Sequence, residues 1–508
     1  MVYYKLVFGI AFLPIIMIMY QLTPRTKRWG VLLIANIIFY STFSLRRIVY
    51  PVAACGIAYL TGLLLEYLQG KKNKKAGRIV LTCGICALLF VLLHVKYTDF
   101  FFDNIRALFH LEEKGFFAPR NYLLPLGISF YTMQAIGYLA DVYWKKTGAQ
   151  KNPARLLCYL LFFPTVMEGP IAPYSQMKES LFGGASITAE GVMAGYLRLG
   201  WGVMKKLVIA DRIAPAVAYL FDEQRLASGF GVVLAAVLFT VMEYMDFSGC
   251  MDMVCGIASI FGIELPENFK QPFLAKNASE FWRRWHISLG VWFKTYIFYP
   301  VSMSSMARKW RKFSKKKVSA HTSNMVLSAM ALLPVWLCNG LWHGPKWTYV
   351  FYGIYYFVVI LAELCLEPVG DAMLGRLHLQ KESRAVAAVR MLKTWIIILI
   401  GELLFEAPSL QAGFTMLGSL FTKSSALLPI ADGSLGIDGR DWAIVLAGLL
   451  VVLVVNLMRE RGRNVTGEIL RMPLAFRWTL ALVLVCVILI FGLYGPGYQE
   501  VDLIYAGF

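Results

Sequence analysis

Residues 79–95 read I-V-L-T-C-G-I-C-A-L-L-F-V-L-L-H-V and contain no Lys, Arg, Asp or Glu. A basic cluster precedes this run, consisting of Lys71, Lys72, Lys74, Lys75 and Arg78. A helix of about 20 mostly apolar residues crosses the hydrocarbon core of a bilayer. The run therefore predicts a transmembrane helix that begins at a positively charged loop.

The same pattern recurs along the whole chain. Of its 508 residues, 58% are hydrophobic and 16% are charged, whereas soluble domains carry about 25% charged residues. The other clear apolar runs are 2–20, 30–45, 50–67, 122–143, 229–245, 324–342, 346–366, 392–405, 441–458 and 477–494. Segments 156–171, 190–220 and 282–303 mix apolar residues with Gly, Pro and charge. We predict an all-α polytopic membrane protein with about 11–14 transmembrane or re-entrant helices.

The net charge of +19 fits this topology. Lys and Arg concentrate in short loops after the first, third and fifth runs, and such loops face the cytoplasm in inner-membrane proteins. The loops predict an inner-membrane protein with the N-terminus outside and the basic loops in contact with anionic lipid. No soluble basic domain remains once the runs are removed, so nucleic acid is not an expected partner.

Ionisable residues within apolar segments are costly and commonly mark function. Glu243, Asp246 and Asp252 follow one clean run directly. The preferred interpretation is structural pairing with Arg283 or Arg284. A metal site is not predicted, because no histidine stands at ligand spacing from these carboxylates.

Segment 277–297 combines charge with aromatic residues. A continuous helix would place Trp282, Trp285, His286 and Leu289 on one face, with Arg283 turned elsewhere. A tryptophan belt at the membrane interface is one interpretation, but it does not explain a histidine in register with the aromatic residues. We favour the wall of a cavity.

The run 335–344, V-W-L-C-N-G-L-W-H-G, ends a long apolar segment in Asn339, Trp342 and His343. Gly340 and Gly344 allow another backbone or a substrate to approach closely. A neutral imidazole accepts a proton from a hydroxyl group, as a general base must. On the residues alone, a catalytic and a structural role for His343 remain equally open.

Broken helical structure is predicted at 162–176, where Pro164, Gly169, Pro170 and Pro173 interrupt an apolar segment. Irregular backbone at membrane depth must be enclosed by protein or face a water-filled cavity. We expect a re-entrant turn that lines a polar cavity.

Two charged segments have open interpretations. The basic run Arg308–Lys317 is either a cytoplasmic loop bound to anionic lipid or a docking surface for an acidic carrier protein or coenzyme A. The segment from Lys96 to Arg120 mixes phenylalanines with both signs of charge and is typical of an amphipathic helix in the outer interface.

These motifs together resemble the membrane-bound O-acyltransferase family, and most closely its bacterial branch of alginate O-acetyltransferases and teichoic acid D-alanyltransferases. The matching stretches appear in order along the chain. They are L-G-I-S-F-Y-T-M-Q-A-I-G-Y-L-A-D-V-Y at 126–143, F-F-P-T-V-M-E-G-P-I-A-P-Y at 162–174, D-F-S-G-C-M-D-M at 246–253, P-E-N-F-K-Q-P-F at 266–273, E-F-W-R-R-W-H-I-S-L at 280–289 and N-G-L-W-H-G at 339–344. A weaker match is E-A-P-S at 406–409.

The resemblance implies a helical fold around a central funnel, with His343 as the catalytic histidine and His286 as the second family histidine. It implies N-terminal transmembrane and interfacial helices in 1–120, a catalytic core in 121–410 and C-terminal transmembrane helices in 411–508. The sequence departs from the family at Pro173, where a basic residue is common. This departure leaves substrate choice open.

The implied reaction moves an acyl group, with acetyl as first choice, from a cytoplasmic thioester to hydroxyls of an extracytoplasmic polysaccharide or cell-wall polymer. No bound cofactor is expected, and the donor is acetyl-coenzyme A or an acyl carrier protein. A second acyltransferase or an esterase-like protein is a further expected partner. The expected substrate-binding residues are Asn339, Trp342, Trp282, Trp285 and Arg283. The alternatives are D-alanyl transfer to teichoic acid and, from a different class, a transporter or flippase.

Overall fold

The computed structural model describes residues 2–223, 226–315, 317–422 and 435–495. Within these ranges 78% of the residues are helical and none forms a β-strand. The prediction of an all-α polytopic protein is confirmed. Lys316 of the basic run and parts of the predicted C-terminal segment lie outside the described residues.

The α-helices follow one another with short connections. The first eleven are α1 (Leu13–Leu22), α2 (Arg28–Ser44), α3 (Val49–Gly70), α4 (Lys74–Phe109), α5 (Ile128–Tyr143), α6 (Pro153–Leu160), α7 (Phe163–Val166), α8 (Tyr174–Gly183), α9 (Ala189–Met204), α10 (Asp211–Leu220) and α11 (Phe230–Ile260). The rest are α12 (Ala278–Arg284), α13 (Ile287–Phe293), α14 (Tyr299–Ser302), α15 (Ser305–Ser314), α16 (Ala320–His343), α17 (Trp347–Arg376), α18 (Arg384–Glu406), α19 (Leu410–Thr422), α20 (Gly439–Glu460), α21 (Val465–Arg471) and α22 (Leu474–Phe491). Short π-helical stretches, Phe8–Phe12, Lys205–Ala210 and Lys294–Phe298, continue directly into α1, α10 and α14.

Seven helical stretches of the described chain are long and apolar enough to cross a membrane. They are fewer than the eleven clear runs of the sequence, partly because the stretch Arg25–Gly70 contains two of those runs. The run at 122–143 forms α5, which has only 16 residues and is buried along nearly its whole length. An apolar run in this protein therefore marks either a lipid-facing span or an internal helix.

The centre of the molecule is α11, which is buried over most of its length. It crosses α9 so closely that a Cβ on Gly202 would lie 2.3 Å from the carbonyl oxygen of Gly249. This close approach brings carboxylates of α11 to lysines of the adjoining π-helical turn: Lys205 Nζ lies 2.7 Å from Asp252, and Lys206 Nζ lies 2.7 Å from Asp246.

The predicted pairing of the α11 carboxylates with Arg283 or Arg284 is wrong. Asp252 also binds Arg198 of α9 at 2.9 Å, whereas Arg284 pairs with Glu280 and Glu460. The physical reason is that the glycine contact between α9 and α11 places the cations of the neighbouring helix nearer than those of α12. The spacing of these carboxylates and cations along the sequence does not predict this packing.

The broken segment after α6 is enclosed by protein. Every residue from 161 to 172 is buried, and α7 has only four residues before the chain continues without helix. The Tyr159 hydroxyl donates to the carbonyl oxygen of Ala172 at 2.8 Å, and Ile171 N donates to Ser288 Oγ at 3.0 Å. The predicted interruption of the helix is confirmed, and its polar backbone groups bond partly to the helix that carries Ser288.

Two predicted loop or interface segments are parts of helices. Residues 96–109 form no separate helix but continue α4, whose 36 residues start at Lys74. Lys96 itself is buried. Most of the basic run lies in α15, whose N-cap Ser304 accepts a hydrogen bond from Ala307 N.

Candidate active site

His343 is the last residue of α16, and its ring lies in a cluster of aromatic side chains. The ring centroid is 5.0 Å from that of Phe405 on α18 and 5.8 Å from that of Tyr352 on α17, in both cases edge to face. The side chain is only 4% exposed. Three helices therefore fix the position of this imidazole.

The hairpin of α16 and α17 holds His343 through direct contact between backbones. A Cβ on Gly340 would lie 2.3 Å from the carbonyl oxygen of Tyr349, and one on Gly353 would lie 2.2 Å from that of Trp336. Only glycine permits this approach, as expected for Gly340 from its position in the motif. The contact brings Tyr349 and Tyr352 of α17 beside the imidazole.

His286 lies at a break between α12 and α13, with a left-handed backbone conformation (φ 45°). The expected continuous helical face from Trp282 to Leu289 is therefore wrong. The helix breaks here because the loop before α12 binds backbone amides that a continuous helix would bond to its own carbonyl groups. The carbonyl oxygen of Asn268 accepts from Ile287 N (3.0 Å), and its Oδ1 accepts from Ser288 N (2.8 Å). These bonds hold His286 in a conformation that costs a non-glycine residue about 1–2 kcal/mol.

Trp342 lies between the two histidines. Its ring centroid is 5.4 Å from that of His286 and 5.0 Å from that of His343. The His286 ring also packs edge to face against Phe247 of α11, with 4.7 Å between centroids. Two histidines that are far apart in sequence are thus joined through one indole.

The end of α16 is also tied to α4. Lys96 Nζ donates to the carbonyl oxygen of Trp342 at 2.9 Å and to Ser129 Oγ at 3.3 Å, and the Tyr97 hydroxyl donates to the carbonyl oxygen of Leu341. A cation at a helix C-terminus is favourable, because the last carbonyl groups carry partial negative charge. Lys96 was not recognised as a site residue, although a lysine next to an apolar run was the available signal.

The other predicted substrate-binding residues do not all lie beside the two histidines. Asn339 is buried one helical turn before His343, and its Nδ2 finds no hydrogen-bond partner among the described residues. Trp282 packs against Tyr356 and Trp336, with centroids 4.7 and 5.0 Å apart. Trp285 stacks on Phe281, with 5.4 Å between ring centroids, and Arg283 is exposed. Of these residues only Trp342 contacts both histidines, while Trp282 reaches Tyr352 at 6.1 Å between ring centroids.

A polar group that the sequence analysis missed lies next to His343. The Tyr352 hydroxyl donates to Glu402 Oε1 at 3.0 Å, and the Glu402 carboxyl is in hydrogen-bond contact with Glu243 of α11. Glu402 stands in the apolar run W-I-I-I-L-I-G-E-L-L-F-E at 395–406. An ionisable residue inside such a run was a signal for a functional position.

The chemistry available here is proton transfer in a desolvated, aromatic-walled site. A neutral imidazole takes a proton from a hydroxyl and returns it to a leaving group. Trp282 Nε1 and Asn339 Nδ2, both buried without a partner among the described residues, are donors able to bind substrate oxygens. Buried polar groups require such a partner, whether water or ligand.

Comparison with known proteins agrees with these features. The model of MBOAT, the membrane-bound O-acyltransferase family, matches residues 35–405. A probable alginate O-acetylase of Azotobacter vinelandii is 28% identical over 467 residues, which cover 92% of this chain and 87% of the relative. A peptidoglycan O-acetyltransferase of Helicobacter pylori is 30% identical over 386 residues, covering 70% of this chain and 68% of that protein.

A teichoic acid D-alanyltransferase of Bacillus subtilis is 28% identical over a shorter region of 244 residues, 48% of this chain and 59% of the relative. The family match includes α16, α17 and almost all of α18, and so every residue placed around His343 above. The chain therefore belongs to the membrane-bound O-acyltransferase family and is an O-acyltransferase embedded in the membrane.

Proposed function

We propose that this protein transfers an acetyl group from a cytoplasmic thioester to hydroxyl groups of an extracytoplasmic polysaccharide or cell-wall polymer. The observation that carries the proposal is the pairing of His343 and His286 against one buried indole, at the meeting point of α16, α17 and α18. The relatives that align over most of their length act on alginate and peptidoglycan by name, which supports a polymer acceptor.

In the proposed reaction His343 removes the proton from the acceptor hydroxyl while its oxygen attacks the thioester carbonyl carbon. The carbon–sulfur bond breaks, and the imidazolium returns the proton to the sulfur, so that a free thiol leaves and an ester remains. General base catalysis of this kind contributes about 10²–10⁴-fold. His286 and Asn339 hold the hydroxyl or stabilise the oxyanion that develops on the carbonyl oxygen.

The aromatic walls have a second role in this proposal. Trp342 and Trp282 exclude water from the thioester, which limits its loss by hydrolysis. The donor is acetyl-coenzyme A or an acyl carrier protein that arrives from the cytoplasm, and the basic helix α15 is a candidate docking surface for it. The proposed location is the bacterial cytoplasmic membrane with the N-terminus outside, and a second acyltransferase or an esterase-like protein is a candidate partner.

The test is acetyl transfer to polymer by membrane vesicles that contain the His343→Ala variant. We expect transfer to fall by about 10²–10⁴-fold, with normal amounts of folded protein in the membrane. His321→Ala is the matched control, because His321 lies on the same helix but is exposed near its other end. Near-normal transfer by His343→Ala would refute the proposed role.

D-alanyl transfer is the second candidate, supported by the teichoic acid relative. The same vesicles distinguish the two reactions when they are supplied with labelled acetyl or labelled D-alanyl donors. Incorporation of D-alanine alone into polymer would replace acetylation as the assigned activity and leave the role of His343 intact.

A further inference from the structure

Two buried glutamates meet one side chain away from the proposed catalytic histidine, since Tyr352 contacts both Glu402 and the imidazole. Glu243 of α11 and Glu402 of α18 are 2% and 1% exposed, and their carboxyl groups are in hydrogen-bond contact. We call them the carboxyl pair. The reaction proposed above assigns no role to these residues.

The carboxyl pair cannot carry two negative charges. Among the described residues neither glutamate forms an ion pair, and Oε2 of each receives no hydrogen bond from an amide, hydroxyl or cationic donor. No neighbouring cation in the described part of the chain neutralises the pair. The nearby Lys206 is bound to Asp246 at 2.7 Å, and Glu406, one turn beyond Glu402, is a further acid. Two adjacent carboxyls in an apolar site hold one proton between them, because like charges at contact cannot both be ionised.

The remaining negative charge is linked to His343 by one side chain. The Tyr352 hydroxyl donates to Glu402 Oε1 at 3.0 Å, while the ring of Tyr352 packs edge to face against the imidazole with 5.8 Å between centroids. Phe405, one turn after Glu402, covers another side of the imidazole at 5.0 Å. Glu402, Tyr352 and His343 are each at most 4% exposed, so a charge here acts on its neighbours more strongly than it would in solvent.

We propose that Glu243 and Glu402 share one proton and that their single negative charge stabilises the imidazolium formed on His343 during acyl transfer, with Tyr352 holding the pair in place. This inference rests on the proposed role of His343. Glu243, Glu402 and Tyr352 are positioning residues, since they act on the reaction through His343 and Tyr352 orients the carboxyl nearest to it.

The sharing of one proton makes a specific prediction for glutamine variants. In Glu243→Gln or Glu402→Gln the amide N–H replaces the shared proton, and the partner glutamate keeps the negative charge. In the double variant the two neutral amides bond to each other, and the side chain at position 402 still accepts a hydrogen bond from Tyr352. The negative charge of the carboxyl pair is lost. We expect kcat to fall about two- to fivefold in each single variant and about 100-fold in the double variant, with little change in KM.

Infrared spectroscopy of the purified protein tests the proton directly. In difference spectra between the wild type and either single variant, the wild type should show the absorption of one additional buried protonated carboxyl, because the glutamate that remains in the variant is ionised. This measurement does not require the double variant to fold. Persistence of the band in both single variants, or its absence from the wild type, would overturn the inference.

The kinetic outcomes separate this inference from the proposed function. If His343→Ala is inactive while the double glutamine variant transfers at the rate expected from multiplying the two single effects, the carboxyl pair has no joint role. If His343→Ala remains active, the proposed role of His343 is refuted, whatever the glutamine variants show. A thermal melt of the double variant equal to that of the single variants excludes loss of structure as the cause of its lower kcat.

Discussion

Lys96 Nζ donates a hydrogen bond of 2.9 Å to the carbonyl oxygen of Trp342, the residue immediately before His343. Lys96 lies on α4 and is buried at 6% exposure. Its ammonium group thus meets the negative end of the helix that carries the proposed catalytic base. The position of His343 depends on a helix that contributes no side chain to the aromatic cluster around the imidazole.

Lys96→Met should loosen the end of α16. The variant keeps the length of the side chain but loses hydrogen bonds from a charged donor, each worth about 1.5–3 kcal/mol when buried. We expect a lower melting temperature in detergent and reduced kcat. Lys75→Met, at an exposed position on the same helix, is the control and should change neither quantity. Equal melting temperatures for the two variants would show that the Lys96 contact is dispensable.

Asn268→Ala should impair transfer without touching either histidine. The variant removes the Oδ1 acceptor that binds Ser288 N at 2.8 Å, so the left-handed turn at His286 loses part of its support. We expect kcat to fall by about tenfold, since a misplacement of about 1 Å at a reacting group can cost 10²-fold.

Asn464→Ala is the matched control for this variant. Its Oδ1 likewise accepts from a backbone amide, that of Gly467 at 2.9 Å, but at the start of α21. This control should lose about 1 kcal/mol of stability and keep its transfer rate. A transfer rate for Asn268→Ala equal to that of the control would contradict the positioning role of Asn268.

Gly340→Ala should separate the α16–α17 hairpin. The added methyl group would meet the carbonyl oxygen of Tyr349 at 2.3 Å, and backbone atoms cannot rotate away as a side chain does. We expect loss of transfer and a lower melting temperature, because overpacking of this kind costs about 1–3 kcal/mol. The rate of acyl transfer and the melting temperature are measured for this variant and for a second glycine variant.

Gly375→Ala provides that comparison. Gly375 lies on α17, and a methyl group added there would meet no atom of another described segment within 4 Å. Alanine at this position should therefore stabilise the helix by up to about 1 kcal/mol. Wild-type transfer by Gly340→Ala would show that the backbone contact does not position the site.

The sequence predicted the class of fold better than it predicted the contacts between side chains. Charge and hydropathy were sufficient for a polytopic helical protein, and the N-G-L-W-H-G and W-R-R-W-H motifs were sufficient to single out His343 and His286. The break at His286 was not predictable from helical spacing, since it depends on hydrogen bonds to Asn268, in the loop before α12.

The ion-pair partners of the buried charged residues could not be predicted from the sequence either. Pairing of Asp246 and Asp252 with Lys206 and Lys205 follows from the glycine crossing of α9 and α11, which periodicity does not specify. Glu402 was detectable as an acid in an apolar run. Its contact with Glu243 required the three-dimensional packing of two helices that are distant in sequence.

The contact of backbone on backbone between α16 and α17 has a consequence for substrate selectivity. A helix pair whose main chains already touch cannot move apart to admit a larger acyl group without losing that contact. Adjustment to different acyl sizes therefore falls to the side chains that pack against the two histidines, such as Phe405 and Phe247. Evolution of new donor preferences on this scaffold should proceed by exchange of those side chains, while Gly340 and Gly353 stay fixed.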